Sequence, residues 1–158
     1  MIPLFIPRIP PRPVTSTPLL MVLDGVTDVR NFGAIARTAE CAGVDAIIIP
    51  SKNSVSVNAD AIKTSAGALH TIPVCREENI TKTIKYLKNC GIHIAGATEK
   101  GNQSYTKGSY NGPVCLIMGA EDRGIPQEHL ALCDEWVKIP ILGHIGSLNV
   151  SVAAGVLI

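Results

Sequence analysis

The chain has 158 residues, 46% of them hydrophobic and 17% charged, with a formal net charge of +1. That size suits one domain with a sizeable core, and that composition excludes a disordered chain. The near-neutral total neither demands nor excludes nucleic acid, because a local patch can be basic within it. Residues 1–18, MIPLFIPRIPPRPVTSTP, are too broken by proline for the apolar region of a signal peptide and read as an extended linker or arm. Leu19 to Leu23 is a short buried strand, followed by Asp24-Gly25. Asn31 can cap a helix through Ala34, Ile35, Ala39 and Ala42, ended by Gly43. Ala46 to Ile49 is a second buried strand, closed by Pro50; Asn58 to His70 reads as a small-residue helix and Thr71 to Cys75 as a weak strand.

Glu78 to Asn89 is amphipathic, with Ile80, Ile84 and Leu87 on one face and lysines on the other, and Gly91 stops it. His93 to Ala97 is a strand, and the polar loop GNQSYTKGSYNG follows it. Val114 to Met118 is a strand, Gln127 to Cys133 a short helix, Trp136 to Ile139 a strand, and the run from Ser147 a final helix. Strands alternating with helices predict an α/β fold with a mostly parallel sheet. No apolar run reaches the roughly 18 residues of a membrane span. The five cysteines are odd in number with no CxxC, which argues against a zinc site or disulfide framework and fits reduced thiols in a cytoplasmic protein.

Three polar clusters follow strands, where open α/β sheets bind ligands. The first holds Asn31 and Arg37, and pattern alone leaves a capping Asn and a snorkelling Arg equally open. The second, Met118-Gly119-Ala120-Glu121-Asp122-Arg123-Gly124, places a glycine where a ligand can approach the backbone and a carboxylate that can accept hydrogen bonds or hold Arg37; a charged turn is the plainer alternative. The third is IPILGHIGSLNVSVAAGVLI, in which Ser147 is a good N-cap, Asn149 lies in the first turn, and the helix start can hold a polar ligand or phosphate. The four histidines lack metal-ligand spacing, and no GxGxxG, GxxxxGK[ST] or GxSxG occurs, which argues against a nicotinamide-binding domain.

Taken in order, LDGVTDVRNFGAIARTAECAGVDAIIIP, LIMGAEDRGIP and IPILGHIGSLNVSVAAGV resemble the three motifs of the SpoU (TrmH-type) RNA ribose methyltransferases. The resemblance runs from Leu19 to the end, and VNADAIKTSAGALHTIPV is similar to the ribosomal-RNA (RlmB-type) branch. It implies an α/β domain with helices on both faces and a deep C-terminal trefoil knot, a homodimer, and S-adenosylmethionine as cofactor without a metal. The reaction implied is methyl transfer to a ribose 2′-hydroxyl of RNA, first of all a guanosine of 23S ribosomal RNA. Transfer RNA is the alternative substrate, and an RNA-binding or assembly module without catalysis is the alternative of another class.

Carried over residue by residue, the implied catalytic set is Asn31, Arg37, Glu121, Ser147 and Asn149, and the backbones of Gly119, Ile139 and Leu148 would hold the cofactor. A guanidinium is a poor base, so Arg37 is expected to position an RNA phosphate and stabilise the developing oxyanion, held in place by the other polar residues. Small residues in the last motif are expected to let knot and cofactor pack closely. The resemblance also implies that residues 19–158 are a catalytic domain lacking the branch's N-terminal RNA-binding domain and ending within its last helix.

Overall fold

The computed structural model describes residues 17–158. The proline-rich stretch lies outside the described residues apart from Thr17 and Pro18, and Pro18 already accepts a hydrogen bond from Val114 N at 2.9 Å. The strands are β1 (Leu19–Asp24), β2 (Ala46–Pro50), β3 (Val74–Glu77), β4 (His93–Ala97), β5 (Gln103–Ser104), β6 (Val114–Gly119) and β7 (Glu135–Lys138). The helices are α1 (Val29–Ala42), α2 (Ala59–Thr64), α3 (Ile80–Asn89), α4 (Gln127–Leu130) and α5 (Val150–Leu157). All seven strands form one parallel sheet in the order β3-β2-β1-β6-β4-β7-β5.

Alternation along the central strands splits the core into two layers. Met21, Leu23, Ile47, Ile49, Leu116 and Met118 face one side and pack under α1, α2 and α5. Leu20, Val22, Ile48, Cys115 and Ile117 face the other, under α3 and α4. Strands buried on both faces need near-continuous apolar sequence, which is why β1, β2 and β6 were legible as runs. Each fully buried Ile or Leu contributes about 1.5–3 kcal/mol of transfer free energy.

Several boundaries differ from the sequence expectation, each for a local reason. Asp28, not Asn31, caps α1, its carboxylate accepting from Asn31 N at 2.7 Å. The small-residue helix expected over 58–70 breaks after Thr64, because Ala66 and Gly67 take positive φ of 51° and 88°, and a single 3-10 turn (Ala68–His70) follows. The final helix starts at Val150 with Asn149 as its cap, so Ser147 lies outside it. Gly33 is buried where a Cβ would stand 2.7 Å from Ala61 O and from Thr64 Cβ, so only glycine lets α2 lie this close to α1. Ala154 is fully buried, and a Cβ on Gly155 would meet Thr38 Cγ2 at 3.7 Å. These small residues of α5 therefore seat the helix against α1.

A polar cluster closes the opposite end of the sheet. Asp134 accepts from Lys88 Nζ at 2.8 Å and from Ile94 N at 2.9 Å, and His93 lies between it and Glu135. Burial works against ionisation of Asp134, but Lys88, the Ile94 N–H and His93 outweigh it and hold its carboxyl below the usual range. A carboxyl whose folded value is depressed stabilises the fold above its unfolded value of about 3.9, and that contribution is lost as pH falls through the folded value. Asp134→Asn should therefore lower the melting temperature at pH 7 and flatten its decline between roughly pH 5 and pH 3. An acid limb as steep as that of the parent chain would refute the assignment.

Candidate active site

Three segments far apart in sequence meet around one carboxylate oxygen. Glu121, on the loop after β6, offers Oε1 to Asn31 Nδ2 at 3.0 Å and to Asn149 Nδ2 at 3.4 Å. The same oxygen accepts from Val150 N, the first amide of α5, at 3.4 Å. Asn149 Nδ2 also donates to Asn31 Oδ1 at 3.1 Å, closing the trio. Asn149 Oδ1 caps α5, accepting from Ser151 N at 2.9 Å, Ser151 Oγ at 2.6 Å and Val152 N at 3.4 Å. The negative carboxylate thus sits at the positive end of a helix, where it is favourable. The donors of this helix start are consumed within the protein, so the expectation of a phosphate bound there does not hold.

Glu121 and Asn149, with Asn31 behind them, form one wall of a cleft of about 560 Å³ at the C-terminal ends of β4, β6 and β7. Gly119, Ile139 and Leu148 line it together with Glu121, Ser147 and Asn149. Among the described residues, the backbone from Pro140 to Leu148 makes no hydrogen bond, so its N–H and C=O groups are open to a ligand. Such a rim suits a flat heterocycle that needs a donor and acceptors in fixed places. The volume, the free backbone groups and the apolar lining of Met118, Val137 and Leu157 fit an adenosyl compound.

Gly119 lines the cleft as expected of a backbone contact, and its missing side chain has a second use. A Cβ there would fall 2.0 Å from Gly124 C and 2.2 Å from Ile125 N, because the loop folds back on itself through the Ala120–Gly124 bridge. The missing side chain makes room for the protein's own loop. Ser147 is exposed at the cleft mouth and makes no hydrogen bond among the described residues; Ser151 is the serine tied to Asn149. Arg37 is not held by the trio as expected. Six residues from Asn31 on a helix, it lies about 120° round the axis and about 9 Å along it, exposed and outside the cleft lining.

The sequence reading missed two participants. Asp28 stands directly ahead of the helical run, a residue type that suits an N-cap as well as Asn31 does. Ser151 carried no such signal, since its role follows from the cap position of Asn149. The buried thiols offer no nucleophile: burial pushes Cys115 up to about 12 and Cys133 up to about 11. No group of His, Cys, Asp and Glu among the described residues is arranged to hold a metal ion.

The model of the SpoU rRNA Methylase family matches residues 18–158. The chain is 42% identical over 140 residues to the 23S rRNA (guanosine-2′-O-)-methyltransferase RlmB of Photorhabdus laumondii, covering 89% of the chain and 57% of that protein. It is 40% identical over 143 residues to the RlmB of Ralstonia nicotianae, covering 90% of the chain and 57% of that protein. The chain thus spans little more than half the length of these relatives. The SpoU methyltransferase AviRb from Streptomyces viridochromogenes, solved in complex with AdoMet, superposes with a TM-score of 0.85 at 26% identity, over 96% of this chain and 61% of that one.

Asn149→Ala removes both the cap of α5 and two contacts of the trio. It should cost about 1 kcal/mol for the cap, or roughly 2–4 °C in melting temperature for a chain of this size. A double-mutant cycle with Glu121→Gln should return a coupling of about 0.5 kcal/mol or more. Strict additivity would show that the contact between the two side chains contributes nothing.

Proposed function

The chain belongs to the SpoU rRNA Methylase family, and from that premise we propose that it transfers the methyl group of S-adenosylmethionine to a ribose 2′-hydroxyl of RNA. The substrate we propose is a guanosine of 23S ribosomal RNA, as the names of the relatives at about 40% identity state for those proteins, and we place the reaction in the cytoplasm. The observation that carries the reading is the convergence of Asn31 on Glu121 and Asn149, which wall a cleft rimmed by open backbone groups.

S-adenosylmethionine would supply a methyl already activated on a sulfonium, ready for in-line displacement. Backbone groups of Ile139 and Leu148 would hold it. Glu121 Oε1 is occupied by the trio, while Oε2 accepts no hydrogen bond among the described residues and is open to a ribose hydroxyl. Asn31 and Asn149 fix that carboxylate and so orient the sugar. Arg37 would bind an RNA phosphate and stabilise the oxyanion as the 2′-oxygen attacks, the proton passing to a phosphate oxygen.

Within one chain Arg37 stands apart from the trio, and the homodimer belongs to this proposal for that reason. Val152 and Val156 on the outer face of α5 are exposed, with 52% of Val152 accessible, and Leu142 and Ile145 are bare on the adjoining loop. A second copy covering that face would lie beside α1, next to Thr38, and so near Arg37. The trefoil knot is proposed on the path of the chain, which returns from β7 past the Glu121 loop to reach α5 beside α1. Residues 19–158 would form the catalytic domain.

Calorimetric titration with S-adenosylhomocysteine should show saturable binding near one per chain, and NAD should show none. A folded chain that binds neither, or binds NAD, would refute the reading. Arg37→Lys should lose most turnover on ribosomal RNA while S-adenosylhomocysteine affinity stays within about threefold. Near-parental turnover in that variant would remove Arg37 from the mechanism.

A further inference from the structure

β1 and β6 are parallel neighbours whose following helices leave to opposite faces, α1 to one and α4 to the other. Such a switch point opens a crevice at the strand ends, and here a second cleft of about 630 Å³ lies there. It shares Ala120, Arg123 and Gly124 with the first cleft, so one loop divides the two. Asp24 and His129, each 7% exposed, line it. His129 Nδ1 lies 2.5 Å from Asp24 Oδ2, and its Nε2 lies 3.1 Å from Thr81 Oγ1. This chain of contacts pins the carboxylate in one orientation. Its other oxygen, Oδ1, accepts no hydrogen bond among the described residues. This oxygen is open to the cleft and meets no donor among the described residues, so it can accept a hydrogen bond from a ligand.

We propose that this cleft receives the guanine base of the nucleotide whose ribose lies at Asn31, Glu121 and Asn149. The inference rests on the methyltransferase reading and assigns the residues that would read the base. Guanine presents two donors, N1–H and N2–H, beside the acceptors O6 and N7. Asp24 Oδ1 and the Glu78 carboxylate can accept from the first pair, and Lys52 can donate to the second. Adenine turns an acceptor at N1 and a donor at N6 to the same groups, which sets its N1 lone pair against a carboxylate. The rim charges are mixed, Lys52 and Arg123 against Glu78 and Glu128, and so suit a neutral base with donors and acceptors better than a phosphate. Sequence-specific RNA binding reads unstacked bases on these edges, and enzymes acting on a nucleotide commonly lift it from its stack into a pocket.

The test is a chemical-shift titration of the 158-residue chain, saturated with S-adenosylhomocysteine, with GMP, IMP and AMP. GMP should bind at least about tenfold tighter than AMP, with IMP between them. Asp24→Asn keeps the shape and turns a donor toward the cleft, so it should cut the GMP-to-AMP preference at least about fivefold, partly by tightening AMP. Glu78→Gln is exposed and keeps the fold testable if the buried variant does not fold; it should weaken GMP by about threefold or more. Equal affinity for GMP and AMP, or a preference untouched by both variants, would overturn the inference. S-adenosylhomocysteine binding without base discrimination sinks this inference alone. Discrimination without S-adenosylhomocysteine binding sinks the methyltransferase reading and leaves a guanine site.

Discussion

Glu121 Oε1 is the point from which the geometry of the site is set, because it joins three segments that share no local sequence. It takes a side-chain donor from α1, another from the cap of α5, and the first backbone amide of α5 itself. Each of these bonds is modest alone, about 0.5–1.5 kcal/mol for neutral partners and more where one partner is charged. Their joint effect is geometric. The loop that carries Glu121 is itself pinched shut by the approach of Gly124 to Gly119, so the carboxylate is held from behind as well as in front. Removing its charge loosens the seating of α5 along with the cleft wall.

The two-layered core explains why polar groups gather at this end of the sheet. β1 and β6 pair in parallel over six residues and then send their chains to opposite faces. The gap between the diverging loops cannot be filled by either helix, so side chains such as Asp24 and Glu121 line it. One gap is divided by the loop around Ala120 into two clefts with different chemistry. One is rimmed by open backbone and backed by apolar side chains, the other by a pinned Asp–His pair and exposed charges of both signs. This division suits a reaction between two substrates of unlike character that must meet at the dividing wall.

Much of this was legible in the chain. The central strands were, because burial on both faces leaves an unbroken apolar run. The amphipathic α3 was, because one of its faces is wet. Glu121 and Asn149 were placed in one site by their motifs, and the structure brings them together with Asn31. What was not legible depends on contacts across the fold. Gly119 looked like room for a ligand; it lines the cleft, and its missing side chain also makes room for Gly124 and Ile125 N. The Ser, Ala and Gly run of α5 looked like a cofactor lining; Ala153 does line the cleft, while Ala154 is buried and Gly155 lies against Thr38 of α1. No periodicity announces that Asp28 rather than Asn31 will cap α1, since both residues suit the position and Asn31 is instead drawn to Glu121.

Arg37 is the residue on which local and global readings part most clearly. By sequence it belongs with Asn31, one helix turn and more away, in the same motif. By geometry it faces outward, with no hydrogen bond or ion pair among the described residues, while Asn31 turns inward to Glu121. A long cation left unpaired on a helix rich in alanine and isoleucine has little to contribute to stability, since the stem covers little and the head is fully hydrated. Its neighbour Thr38 meets α5, whose outer valines are bare. In the proposed homodimer, the copy that covers those valines would lie on the side of α1 that carries Thr38, next in sequence to Arg37. The proposed second copy, apolar at its centre with an anionic RNA ligand at its edge, would answer both the exposed apolar face and the unpaired guanidinium.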